Sequence, residues 1–150
     1  MKTFIACALL LLLLTFAMAT EPAVRLRLGA PERIKAPKGS ATAGSTWVTF
    51  PVHVANVSNG SIWLHGHSLR SPFYGLFTRQ KDSDAWITRG IGFCGTGASR
   101  HQLRAGAATT FSVSVPVRYV GQQLRVELLV YDSADDTKPE TIYSDGVPIE

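Results

Sequence analysis

Val48, Phe50, Val52 and Val54 alternate with Trp47, Thr49, Pro51, His53 and Ala55. A period of two with one apolar parity predicts a strand that buries one face and wets the other. The same pattern recurs in Val24, Leu26 and Leu28 between Arg25 and Arg27, in Phe111, Val113, Val115 and Val117, and in Leu124, Val126, Leu128 and Val130. The last two runs follow each other closely and are expected to pair as neighbours. Phe73 to Arg79 and Ala85 to Arg89 read as a hairpin across the polar run Gln80 to Asp84, and Thr141 to Tyr143 reads as a final short strand. Turn chemistry separates these runs. The stretch Asn56 to Ser61 (NVSNGS) closes the valine strand and leads through its Asn-Gly step into Ile62 to Leu64, while Asp132 to Glu140 is a solvated turn. Gly29 to Gly44, rich in Pro, Lys and Ala, reads as an open loop, and Pro51 marks an edge position or a bulge. No stretch shows a helical period. The expected fold is all-β, an immunoglobulin-like antiparallel β-sandwich of about seven to nine strands, with a partly open barrel as the alternative.

The first nineteen residues follow a different rule. Met1-Lys2 is basic, Ile5 to Phe16 is apolar with six consecutive leucines, and Ala17-Met18-Ala19 supplies small residues. This is the layout of a secretory signal peptide, so residues 1–19 are assigned to the leader and 20–150 to one β-sandwich domain. The apolar run is short for a membrane span, so no stable insertion is expected after cleavage, and the protein is placed as secreted or periplasmic. About 130 residues suffice for a single core.

Of the 15 basic residues, Lys2 lies in the leader, which leaves 14 against 11 acids and a net charge of +3. The basic residues are scattered, whereas a nucleic-acid surface concentrates them in a patch or stripe, so nucleic acid is not an expected partner. Cys7 also lies in the leader, so Cys94 is the one cysteine of the mature chain and an intramolecular disulfide is ruled out. Cys94 reads as a buried small hydrophobe, an intermolecular partner or a reactive thiol.

From Asn56 onward the chain carries an Asn-rich turn closing a valine strand, then SIWLHGHSLRSPFYGL, a tryptophan strand, GFCGTG, a QLRAG turn before a Phe/Val strand, RVELLVYDS and IYSDGVPI. This order resembles uncharacterised small exported immunoglobulin-like proteins of bacteria. The valine strand ending in an Asn turn, and the Leu-x-x-Gly step before the Phe/Val strand, are more loosely similar to the bacterial proteinase-inhibitor sandwich family. Both resemblances imply a sandwich, and neither supplies catalytic residues to carry over.

Several residues carry possible chemistry. His65 and His67 lie two apart, so on a strand they share a face and offer two imidazoles to zinc or copper, with His53, His101 or Cys94 needed to complete a site. Cys94 with His101 has the residue types of a nucleophile and base. Gly90 to Gly95 spells a dinucleotide-binding run, but no helix follows it to face a pyrophosphate, so that reading is rejected. Asn56-Val57-Ser58 and Asn59-Gly60-Ser61 are formal glycosylation sequons. The aromatic set Trp47, Trp63, Phe73, Tyr74, Phe77 and Trp86 offers a platform for a sugar or a partner protein wherever it faces outward.

The function expected from these features is a non-enzymatic exported binding or structural module that meets a protein or glycan through a sheet face or loops. Its candidate contact residues are Trp47, Trp63, His65, His67, Tyr74 and Cys94. No cofactor is expected. The alternative is an exported metal- or thiol-dependent protein using His65, His67 and Cys94, and a proteinase inhibitor stands third.

Overall fold

A computed structural model describes residues 23–36, 44–91 and 96–150. The expected leader, Cys94 and most of the glycine run at 90–95 lie outside the described residues. Strand chemistry accounts for nearly every element, and two antiparallel sheets stack as a sandwich.

The first sheet is organised on β3 (Thr46–Asn56). One edge of β3 pairs with β9 (Ala108–Pro116) over nine residues, from Trp47 opposite Pro116 to Ala55 opposite Ala108. Its other edge is shared by β1 (Val24–Leu28), which pairs with residues 52–56, and β2 (Glu32–Lys35), which pairs with residues 46–49. Pro51 sits where β1 leaves this edge. Its carbonyl accepts from the Gly29 amide at 2.8 Å, and the N–H that proline lacks would have pointed to the same side. Proline is thus tolerated inside a central strand because that strand has a local gap beside it.

The second sheet has β10 (Gln123–Tyr131) as its spine. On one side lie β6 (Tyr74–Arg79), opposite residues 123–128, and β4 (Ile62–Ser68), which meets β10 at Leu64–Val130 and Trp63–Tyr131. On the other side lie β11 (Glu140–Tyr143) and β12 (Val147–Pro148). β7 (Ile87–Ile91) extends the sheet beyond β6, and β8 (Ser99–Leu103) extends it beyond β4. Leu64 and Tyr74 oppose β10 two residues apart, so residues 65–73 form an excursion out of the ladder. Its tip, β5 (Ser71–Pro72), folds back on β4. The close packing there needs Gly66, because an added Cβ would run into the Ser71 carbonyl oxygen and Pro72 Cα. Gly66→Ala is expected to lower stability by about 1–3 kcal/mol through this backbone clash, checked by denaturant unfolding.

The predicted inward parities build the core. Val48, Phe50, Val52 and Val54 of the first sheet meet Leu124, Val126, Leu128 and Val130 of the second, all 0–3% exposed. Four expectations are corrected. β9 and β10 do not pair: Pro116 ends β9, a 3-10 turn (Val117–Tyr119) follows, and the chain crosses to the opposite sheet. Val117 therefore leaves the strand parity and stands 38% exposed instead of joining the core. Gly29 to Gly44 is not wholly open, because Glu32 to Lys35 completes the edge of β3 left free by β1. Twelve strands occur among the described residues, more than expected, because β2, β5, β8 and β12 are short or polar and gain their definition from a partner strand.

Candidate functional site

The two outer faces differ in chemistry. The outer face of the first sheet carries short polar groups: the Thr49 and Ser114 hydroxyls share a hydrogen bond at 2.8 Å, and His53 Nδ1 lies 3.1 Å from Thr110 Oγ1. Trp47 is on this face, half-buried, its indole N–H donating to Ser45 Oγ at 2.9 Å. This is an ordinary solvated sheet surface with one ring at its end.

The outer face of the second sheet is built from planar side chains. Along β10 the inward parity is aliphatic, which leaves Gln123, Arg125, Glu127 and Leu129 pointing out. Arg125 opposes Phe77 across the ladder, and Glu127 opposes Tyr143. The Arg125 guanidinium consequently lies among three rings, 4.3 Å from Tyr143, 4.5 Å from Trp86 and 5.3 Å from Phe77. Arg79 covers Trp86 at 4.8 Å and donates to Gln123 Oε1, while Phe77 and Tyr143 meet edge to face at 6.1 Å. Cation–π contacts of this kind are attractive at the surface and stronger where water is displaced. Trp86 belongs to no strand. It lies down on the sheet because Gly146 has no side chain; a Cβ there would come within 2.9 Å of the indole.

Electrostatics bind this layer further. The Glu127 carboxylate accepts from the Tyr143 phenol, and this bond, with burial and the carboxylate's charge, holds the phenol above its ordinary pKa against the opposing charge of Arg125. Arg125 Nε is closed off from solvent and has no acceptor among the described residues. A buried donor left in this state costs free energy, which the ring contacts of the same guanidinium offset in part.

At the far end of β10, about 27 Å from Gln123 by strand rise, the same outer face carries a second cluster. Trp63 is half-buried beside the Tyr131 backbone, and Arg100 of β8 lies 3.9 Å above the Tyr131 ring. Arg100 also donates to the carbonyls of Ser133 and Ala134 at 3.3 and 2.6 Å, which ties the acidic 132–136 turn to the sheet.

The structure sorts the other sequence candidates. His65 and His67 both pack on Phe73, with ring centroids 4.9 and 5.5 Å away, the first half-buried and the second exposed. His101 lies 3.1 Å from the Gly66 carbonyl and 3.2 Å from Ser99 Oγ, and His53 is on the other sheet. Among the described residues, no three His, Cys, Asp or Glu side chains gather closely enough to hold a metal ion. Tyr74 turns inward and stacks on Phe111 at 5.5 Å, and burial pushes its phenol up in pKa; it packs on the core and leaves the outer surface, because its parity on β6 matches that of Leu76 and Thr78. Asn56, in the first sequon, is 1% exposed and fully engaged. Its amide donates to the carbonyls of Gly60 and Leu103, and its oxygen accepts from Ser58.

Sequence reasoning singled out Phe77 and Trp86 within a general aromatic set but missed Arg125, Arg79 and Tyr143. The outward parity of Arg125 opposite an aromatic strand was the available signal.

Neither a protein-family model nor a curated protein matches this sequence. Among solved structures, the chain is similar to the X-ray structure of the Northeast Structural Genomics Consortium target SoR45, with a TM-score of 0.50 and 9% identity, covering 85% of this chain and 84% of that one. It also aligns with a protein assigned as ApaA from Bordetella pertussis at a TM-score of 0.48 and 11% identity, covering 84% and 94%. The first likeness is one of fold. Among the described residues, no helix is long and apolar enough to cross a membrane.

Proposed function

We propose that this protein is a secreted or periplasmic, non-enzymatic binding module that docks a protein or glycan partner on the outer face of its β10 sheet. The leader supports the compartment. The observation that carries the docking reading is the layer of Phe77, Trp86 and Tyr143 around Arg125, with Arg79 over Trp86. These rings face away from a core that is already filled by the aliphatic parity of the same strands. Aromatic residues and arginine are the types that concentrate binding energy at interfaces, where flat rigid groups give large contact area with little ordering cost. The opposite sheet, with its small hydroxyl groups, offers no comparable layer.

The test is retention of partners from the exported fraction of the source cells on immobilised protein. Trp86→Ala and Arg125→Gln are each expected to lower the affinity for a captured partner by about 2 kcal/mol, roughly thirtyfold. Thr110→Ala, on the other sheet, is expected to leave it unchanged. Equal retention by all three variants, measured quantitatively by interferometry, would remove this face from the reading.

A further inference from the structure

A separate cluster stands where the chain crosses between the sheets. Tyr119 closes the 3-10 turn and packs against the edge of the core. Its ring is flanked by two guanidiniums, Arg89 of β7 at 4.9 Å and Arg118 of the same turn at 5.1 Å. The two cations thus stand within about 10 Å of each other, where like charges repel. Arg89 is held in place, since its Nε donates at 2.8 Å to Oγ1 of Thr78, which is fully buried. Hydrogen bonding from Arg118 lowers the Tyr119 pKa most; burial opposes it, and the charges of Arg118 and Arg89 with a hydrogen bond from Arg89 lower it further.

The surroundings of the paired cations are apolar and exposed. Val117 and Val120, on either side of Arg118 and Tyr119, are 38% and 40% exposed, and Ile87, two residues before Arg89, is 45% exposed. Among the described residues, three of the seven exposed large hydrophobic residues thus flank one pair of guanidiniums. A site for a soluble anion would surround the charge with polar donors, whereas cations set among protruding aliphatic groups match the phosphate layer and acyl boundary of a bilayer.

We infer that this end of the sandwich docks on an anionic phospholipid surface. Arg89 and Arg118 take a lipid phosphate beside Tyr119, and Val117, Val120 and Ile87 enter the headgroup layer. The contact is peripheral, and it is independent of the aromatic face proposed above.

Co-sedimentation of the mature chain with phosphatidylcholine vesicles, with and without phosphatidylglycerol, tests it. Binding is expected to require phosphatidylglycerol and to fall steeply with salt. Arg118→Gln is expected to weaken it about fivefold, and the Arg89→Gln/Arg118→Gln pair about 25-fold. Val117→Ser/Val120→Ser is expected to weaken binding while keeping its salt dependence. Thermal melts confirm folding, and the exposed Arg118→Gln variant serves alone should the pair not fold. Absent binding, equal binding to both vesicles, or wild-type binding by folded Arg118→Gln would overturn the inference. So would inorganic phosphate perturbing the Arg89 and Arg118 side-chain NMR signals without vesicle binding, which assigns the clamp to a soluble anion. Dimerisation lost in the same valine variants, with no vesicle binding, would assign the patch to a second copy and likewise overturn it.

Discussion

Replacing Phe50 by alanine is expected to lower the unfolding free energy by about 3–5 kcal/mol, the range for deleting a large buried aromatic side chain. Phe50 is 0% exposed, and it is the largest side chain among the inward positions of β3. It opposes Val113 of β9 and projects towards the aliphatic row of β10. The loss combines the transfer free energy of the ring with the void left between two sheets whose hydrogen-bonded ladders resist collapse. With a total stability of about 5–15 kcal/mol, the variant retains a small margin or none. Denaturant unfolding measures the change, and Val57→Ala, at a position 40% exposed, is the control expected to stay within about 0.5 kcal/mol of wild type. A Phe50→Ala loss below about 1 kcal/mol would contradict the central placement of this ring.

Asn56→Ala is expected to cost about 3 kcal/mol, an unusually large effect for a turn residue. The side chain is 1% exposed and joins three segments. Its amide donates at 2.8 Å to the Gly60 carbonyl and at 3.0 Å to the Leu103 carbonyl, forty-seven residues away, while its oxygen accepts from the Ser58 backbone and hydroxyl at 3.1 and 2.7 Å. Alanine leaves the Leu103 carbonyl buried without this donor, and the missing partner accounts for most of the cost. Asn59, in the neighbouring sequon, is exposed, so Asn59→Ala is expected to lie within about 0.5 kcal/mol of wild type. The contrast between two sequon asparagines three residues apart, read by parallel unfolding curves, separates a buried hydrogen-bond hub from an ordinary turn residue. In the folded chain the Asn56 nitrogen is also committed, which withdraws this sequon from glycan attachment after folding.

Much of this architecture was visible in advance for a local reason. Whether a strand side chain faces in or out depends on its parity, and parity is written in consecutive residues, so the cores of β3, β9 and β10 follow from Val48 to Val54, Phe111 to Val115 and Leu124 to Val130. Which strands pair depends on contacts far apart in the chain. The β9 and β10 runs are adjacent in sequence and equally apolar, yet Pro116 and the turn at Val117–Tyr119 send them to opposite sheets. Short polar strands such as β2 and β8 carry little signal of their own, because their order comes from the ladder of a neighbour.

The candidate sites divide along the same line. Sequence alone determined that Trp47 and His53 share an outward parity, that His65 and His67 share another, and that Arg125 alternates with buried aliphatic residues. It also determined that Cys94 is the one cysteine after residue 19. Only the tertiary structure decided that Arg125 lies among Phe77, Trp86 and Tyr143, that Tyr74 belongs to the core, and that Arg89 meets Arg118 across Tyr119. Burial preference is a property of each residue in its local pattern, whereas the meeting of two distant side chains depends on sheet order, strand register and the small residues, such as Gly146, that leave them room.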